Sequence, residues 1–336
     1  MDDFTSQCCS LIKKVDEILK YNSEWVQRYG GYAKQILLNE DDLKYKKTNF
    51  NEWAPLYLYM TIGEAKGNLL FSLRYVGQDV AKLKVDGQGV TIATNSFTER
   101  NMRDFGCNIH LSNHSWSSKE ASDFRKHFSN KPIRLDVSKK NDEHRVESLL
   151  LTEFSKSDSK DKMICNIQPV KFSGIARFQM KTPLTSSNIS NICYEKKAGS
   201  GGGIDIISRI GIGRGTKLCV MEVKDENVAA EPPRNAVLQG LSYGVFVLNL
   251  LRSESGDLWW KIFGFKGKLP DSLELYIVCT MPSSEVNDIS FAEKVINYKQ
   301  DFFHLHYLYF QEENQCIKKI ETSLKQCKKK ELLNDN

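Results

Sequence analysis

Asp205, Glu222, Lys224 and Gln239 fall in three successive stretches whose patterning brings them towards one place. Gly203-Ile204-Asp205-Ile206-Ile207-Ser208-Arg209 reads as a short strand, and Lys217 to Lys224 as the strand that returns from it. Between them Gly211-Ile212-Gly213-Arg214-Gly215 supplies the turn. A nucleotide-binding glycine loop would need a helix directly after it, to present its N-terminus to phosphate. A second apolar strand follows here, so that reading is set aside. Period-two alternation puts Val220, Glu222 and Lys224 on one face of the returning strand, with Met221 and Val223 on the other. Across the hairpin Asp205 comes within reach of Glu222, and two converging carboxylates repel unless a cation lies between them. Mg²⁺, a hard ion that prefers oxygen ligands, meets that need. Lys224 alone would also meet it, as a plain ion pair. After Glu231-Pro232-Pro233, Arg234 to about Arg252 reads as a helix with Gln239 and Tyr243 on one face. Gly240 and Gly244 weaken that helix in isolation but permit close approach to a sheet.

Other residues with chemical potential read more plainly. Glu147 borders the apolar stripe of a helix from Glu143 to about Lys156, where Val146, Leu149, Leu150 and Phe154 form the buried side. From that segment alone it is a rim glutamate reaching water. His110 and His114 are spaced for a helical metal pair, but their Asn and Ser neighbours indicate a loop. His304 and His306 share a strand face without an evident third ligand and read as structural. Lys82 and Lys84 share a strand face, with Arg74 near, as on the solvent side of an antiparallel sheet.

Around these lie the elements that must position them. Residues 5 to about 29 have helical spacing, with Leu11, Val15, Ile18 and Leu19 on one face, and Gly30-Gly31 is expected to end that helix before a short second one. From Leu56 to about Asp136 the period is two, giving a meander with turns at Gly77-Gln78-Asp79 and Asp86-Gly87. The polar cluster at 138–142 marks a boundary and offers a helix cap. A loop is expected over 155–162 and mixed strand and turn over 167–182. Leu258–Phe263, Leu273–Val278 and Phe302–Phe310 read as further strands. A terminal helix carries Ile317, Ile320 and Leu324 and ends near Lys328-Lys329-Lys330. The expected organisation is an N-terminal helical segment at 1–50, a β-rich unit at 51–138 and an α/β unit at 139–336.

A chain of 336 residues with 40% hydrophobic and 26% charged residues has the composition of a globular protein with a real core. Its net charge of +5 permits a polyanionic partner without requiring one. No apolar run approaches the ~18 residues that span a bilayer. The start, Met1-Asp2-Asp3-Phe4, lacks the apolar core of a secretory signal. Nine cysteines with no C-x-x-C pair and no zinc spacing suggest reduced thiols and a cytoplasmic setting without membrane association.

Asp205, the tripeptide Glu222-Val223-Lys224 and Gln239-x-x-x-Tyr243 together resemble the PD-(D/E)XK nuclease superfamily, in particular its RecB-like branch with a Q-x-x-x-Y helix. The resemblance covers roughly residues 140–310. It departs from the pattern at Ile204, where a proline would complete the motif, and in the β-rich N-terminal region. It implies an α/β (α+β) fold of restriction-endonuclease-like type, a mixed central sheet flanked by helices, preceded by the helical and β-rich N-terminal region. It implies a hydrolase that cleaves phosphodiester bonds of DNA with Mg²⁺, or Mn²⁺ in its place, in defence or repair; RNA stays open as a substrate. The metal would be held by Glu147, Asp205, Glu222 and the carbonyl of Val223, while Lys224 activates water and Gln239 positions the nucleophile or substrate. Lys196, Lys197, Arg209 and Arg234 are the candidate backbone contacts, with Tyr243 beside them as a support of the helix. A homodimer or a protein partner would engage the N-terminal region. The alternative is a nuclease-fold scaffold or nucleic-acid-binding module without turnover.

Overall fold

The chain is a mixed α/β protein built around two sheets, and it passes from one sheet to the other at Val170 and at Asp205. The computed structural model describes residues 2–40, 56–62, 69–86, 89–94, 105–129, 143–155, 164–172, 176–185, 189–197, 200–226, 232–283, 288–314 and 316–325. The expected boundary at 138–142, the loop over 156–162 and the Lys328–Lys330 run lie outside the described residues.

Two helices come first, α1 (Asp3–Tyr21) and α2 (Glu24–Leu38). Asp2 caps α1 by accepting the Thr5 N–H at 2.8 Å. The break falls at Asn22-Ser23, earlier than expected, and Gly30-Gly31 lie inside α2. Side-chain bonds set it there: Asn22 Nδ2 donates to the Ile18 carbonyl and Trp25 Nε1 to the Leu19 carbonyl.

The expected meander forms as far as Ser115, with β1 (Leu56–Ile62), β2 (Leu69–Tyr75), β3 (Gln78–Asp86), β4 (Gly89–Ala93) and the short β5 (His114–Ser115) in antiparallel succession, but the period of two expected on to Asp136 gives way to a helix over 119–129. Helix α3 (Lys119–Ser129) follows, and α4 (Glu143–Phe154) comes next among the described elements. Strand β6 (Ile167–Pro169) belongs to the second sheet, while β7 (Lys171–Phe172) and β8 (Ala176–Lys181) join the first. A small ribbon of β9 (Leu184–Thr185) and β10 (Cys193–Tyr194) intervenes. The predicted strand over 203–209 is divided: β11 (Gly203–Ile204) pairs with β8, Asp205 bends, and β12 (Ile206–Ile210) pairs with β13 (Lys217–Val223). The first sheet therefore runs β11-β8-β1-β2-β3-β4-β5 with β7 beside β8, and it draws strands from both sides of the boundary expected near residue 138.

From β13 the chain crosses through α5 (Pro233–Leu251) and α6 (Gly256–Ile262) to β14 (Glu274–Pro282), which lies parallel to β13. Parallel neighbours need such a crossover. Helix α5 is apolar nearly all round, and it is buried accordingly, packed on β13 and β14 and covered by α1. β15 (Val295–Tyr298) and β17 (Cys316–Thr322) both pair with the long β16 (Asp301–Glu313), completing the order β15-β16-β14-β13-β12-β6.

Three expectations are corrected. Leu258–Phe263 is not a strand but mostly helix α6, because five apolar residues broken only by Lys261 make a run too short to separate a strand from a buried helix. The segment with Ile317 and Ile320 is strand β17 rather than a terminal helix. It adds to the free edge of β16, and only Ile317 of the pair is fully buried. Seven cysteines are free thiols among the described residues, whereas Cys165 is disulfide-bonded, against the expectation of thiols throughout. None of the described helices is long and apolar enough to cross a membrane.

Candidate functional site

The site forms where the bend at Asp205, the end of β13 and the first turns of α4 meet. Asp205 is half-buried, and its Oδ2 accepts the Val223 N–H at 2.8 Å. Glu222 is 1% exposed, and Lys224 only 4%. As strand alternation requires, their side chains share a face: Lys224 Nζ lies 3.0 Å from Glu222 Oε1. The same ammonium reaches Glu143 Oε1 at 3.1 Å, so that it links β13 to the N-terminus of α4. The second oxygen of Glu222, Oε2, is buried without a hydrogen-bond partner.

Glu147 is buried, not at a wet rim. Helix α4 is wedged between the sheets: Val146, Leu150 and Leu151 join a core with Met221 and Val223 of the second sheet and Tyr59 of the first. At Gly77 a side chain would collide with the His144 carbonyl, since a Cβ there would come within 2.2 Å of it. The first sheet thus forms a wall over the face that carries Glu147. His144 Nδ1 stands 3.6 Å from Glu147 Oε2.

Electrostatics report the same convergence. Burial pushes the Asp205 carboxyl up to about 7, and the negative charge of Glu147 adds to the shift, while Lys224 and the Val223 N–H oppose it. Burial, with the nearby Asp205 charge, holds Glu222 well above the ordinary carboxylate range despite Lys224. Glu143 raises both. Glu143 and Glu222 pair directly with Lys224, Asp205 feels its charge, and Glu147 lies between Asp205 and Arg74 in charge contact with both.

The remaining predicted residues divide. Gln239 is half-buried on α5 and donates through Nε2 to the Tyr243 hydroxyl at 3.4 Å. The next residue, Gly240, lets the helix sit against the site: a Cβ there would stand 3.5 Å from Glu222 Cβ. Tyr243 is 1% exposed, so it supports the helix and is corrected as a nucleic-acid contact. Arg209 donates to the Gly264 carbonyl at 2.6 Å and to Gln168 at 3.1 Å, which commits it to the fold. Arg234 is tied to Asp288 at 2.8 Å and to Ser290 at the start of α5. Lys196 and Lys197 are exposed near α2, whose Arg28 donates to the Lys196 carbonyl. His306 is buried against Tyr276 and accepts or shares a bond with Ser323 at 3.0 Å, while His304 lies 3.7 Å from Glu274, in keeping with structural roles.

Sequence reasoning missed Glu143. It stands four residues before Glu147, one helical turn away on the same face, and that spacing was the available signal. It also missed the part of the first sheet. Arg74, held by Asp79 at 2.7 Å and stacked over Tyr59, lies close enough to Glu147 for the two charges to interact.

As the side chains stand, no three His, Cys, Asp or Glu among the described residues are arranged to hold a metal ion, and Lys224 is the cation of the cluster. The donor chemistry nevertheless suits a hard divalent ion, and the unpartnered Glu222 Oε2 is a buried oxygen that such an ion would satisfy. Comparison with protein-family models, with curated proteins and with solved structures finds no match to this chain.

Proposed function

We propose that the chain is a Mg²⁺-dependent nuclease that hydrolyses phosphodiester bonds in DNA, on a restriction-endonuclease-like core. The observation that carries this reading is the buried surplus of carboxylates around Lys224, with one Glu222 oxygen left without a partner. Asp205 and Glu222 are the residues that would hold the ion, with Glu147 beside them and the Val223 carbonyl as a further donor. The chemistry such an ion supplies is Lewis-acid polarisation of a phosphoryl oxygen and a lowered pKa for an attacking water. Lys224 adds a fixed positive charge where negative charge grows in the transition state. Gln239 faces the substrate from α5, which Tyr243 braces from within the core. The Val223 N–H keeps Asp205 oriented.

One observation favours a second reading, a scaffold or binding module without turnover: Lys224 already bridges Glu222 and Glu143, as it would in a purely structural ion-pair network. Incubation with single- and double-stranded DNA and with RNA, in Mg²⁺, Mn²⁺ or EDTA, separates the two. Metal-dependent cleavage that disappears in Asp205→Ala and Lys224→Ala supports the enzyme. Binding without cleavage in any metal supports the scaffold.

A further inference from the structure

Glu222 and Glu143, the carboxylates paired with Lys224, differ in their access to water. Glu222 meets the ammonium at 3.0 Å within the core, the side chains of Glu222 and Lys224 being 2% and 5% exposed. Glu143 meets it at 3.1 Å with a side chain that is 43% exposed. The two contacts therefore part with different ease. Taking one member from a buried pair strands the other charge away from water, which is costly. A pair with one member half in water loses little when that member turns to solvent. Of the two, Glu143 is the partner that can leave Lys224, and Glu222 is the one that stays.

That departure needs no movement of α4. Glu143 is the first residue of the helix, and the turn that follows is fastened by other contacts. Arg145 pairs with Glu226 beyond β13 and with Glu312 on β16. Val146 and Leu150 are fully buried in the core shared with Met221 and Val223, and the His144 carbonyl is packed against Gly77. Rotation of one glutamate side chain thus uncovers the ammonium while the backbone stays in place. The uncovered charge lies 3.0 Å from Glu222 and acts on Asp205, the two carboxylates proposed to hold the ion.

We propose that Glu143 is an internal stand-in for the substrate: its carboxylate occupies the seat on Lys224 that a phosphodiester oxygen takes, and the two exchange. The inference rests on reading the cluster as a nuclease site. An anionic phosphoryl oxygen makes the same charge-assisted bond to an ammonium as a carboxylate oxygen does, so the exchange conserves the contact. Before substrate arrives, Glu143 helps to hold Lys224 oriented beside Glu222. An uncharged ligand offers nothing to replace the carboxylate, so the exchange admits a phosphate backbone and turns away neutral molecules.

The test is equilibrium binding of a fluorescent single-stranded DNA oligonucleotide to the full chain in EDTA, by anisotropy, for the wild type, Glu143→Gln and Glu274→Gln. Glu274 is the control: its side chain is 40% exposed and pairs with Lys217 at 3.0 Å, so its replacement removes the same charge from a similar contact at the opposite end of β13. Glu143→Gln should tighten binding about fivefold, which is the ~1 kcal/mol upper end for an exposed pair. Glu274→Gln should change it by no more than about twofold, as for an ordinary surface substitution. Acetylation of Lys224 by acetic anhydride, read by mass spectrometry, should be faster in Glu143→Gln than in the wild type, and the oligonucleotide should slow it in both. Circular dichroism establishes that each variant is folded. Equal tightening in the two variants, unchanged or weaker binding in Glu143→Gln, no binding by any form, or labelling of Lys224 that the oligonucleotide does not slow overturns the exchange. A wild type that cleaves DNA in Mg²⁺ alongside any of those results loses the exchange and keeps the nuclease reading. Tighter binding in Glu143→Gln and a protected Lys224, without any wild-type cleavage, keep the exchange and sink that reading.

Discussion

The Val223 N–H donates to Asp205 Oδ2 at 2.8 Å, fastening the bend between the two sheets to the last residue of β13. Because Glu222 and Lys224 flank Val223, this one bond sets Asp205 in register with both. It also keeps one Asp205 oxygen occupied by a backbone donor.

The raised Asp205 pKa makes a signed prediction for the metal-free protein. Its carboxyl moves from an ordinary 3.8 to about 7 on folding, so between those values the folded chain holds a proton that the unfolded chain has released. The associated stability is present below about pH 4 and is lost as the pH rises towards 7. In EDTA, the melting temperature of the wild type relative to Asp205→Asn should therefore fall as the pH is raised from 4 to 7.5. A difference that does not change with pH would contradict the burial of this carboxyl.

The Asp205 titration should depend on the charge of Glu147. Glu147 is the largest charge effect raising the Asp205 carboxyl, second only to burial. Glu147→Gln should lower the Asp205 pKa, as read by ¹³C NMR of its side-chain carboxyl, and should reduce Mg²⁺-dependent cleavage. An unmoved Asp205 titration would place Glu147 outside the cluster.

Lys224→Met should reduce kcat about 10²–10³-fold, the scale of losing a fixed charge that stabilises a transition state. Lys224 lowers the pKa of both Asp205 and Glu222, so its loss should also move the acidic limb of the pH–rate profile upward. A simple loss of fold would give no residual activity with a displaced profile, and thermal melting separates the two.

Two glycines in helices should respond oppositely. At Gly244 of α5 a Cβ would meet Ile277 at 2.6 Å and Phe303 at 3.1 Å, so Gly244→Val should destabilise by about 1–3 kcal/mol in urea unfolding through overpacking. At Gly30 of α2 the nearest atom, from Ser255, is 3.8 Å away, and Gly30→Ala should stabilise by about 0.5–1 kcal/mol.

The hairpin, the α5 helix and the shared face of Glu222 and Lys224 were legible because each depends on local periodicity. Gly240 and Gly244 likewise announced the close approach that α5 makes to β13, β14 and β16. What was not legible depends on distant partners. Glu147 looks like a rim residue until the first sheet closes over α4, and nothing in residues 143–156 encodes that wall. Trp259 and Trp260 sit in an apolar run too short to show a period. Ile317 and Ile320 have helical spacing, yet the open edge of β16 decides their state. The division of the 203–210 strand at Asp205 is also a tertiary event, set by β8 on one side and β13 on the other.

The most direct test of the central claim is Mn²⁺ binding, followed by electron paramagnetic resonance as the ion is titrated into chelator-stripped protein. The account predicts binding at one locus in the wild type, competed by Mg²⁺, retained in Lys224→Met and lost in both Asp205→Asn and Glu222→Gln. Absence of binding in the wild type, or binding that survives both carboxylate substitutions in folded protein, would contradict it.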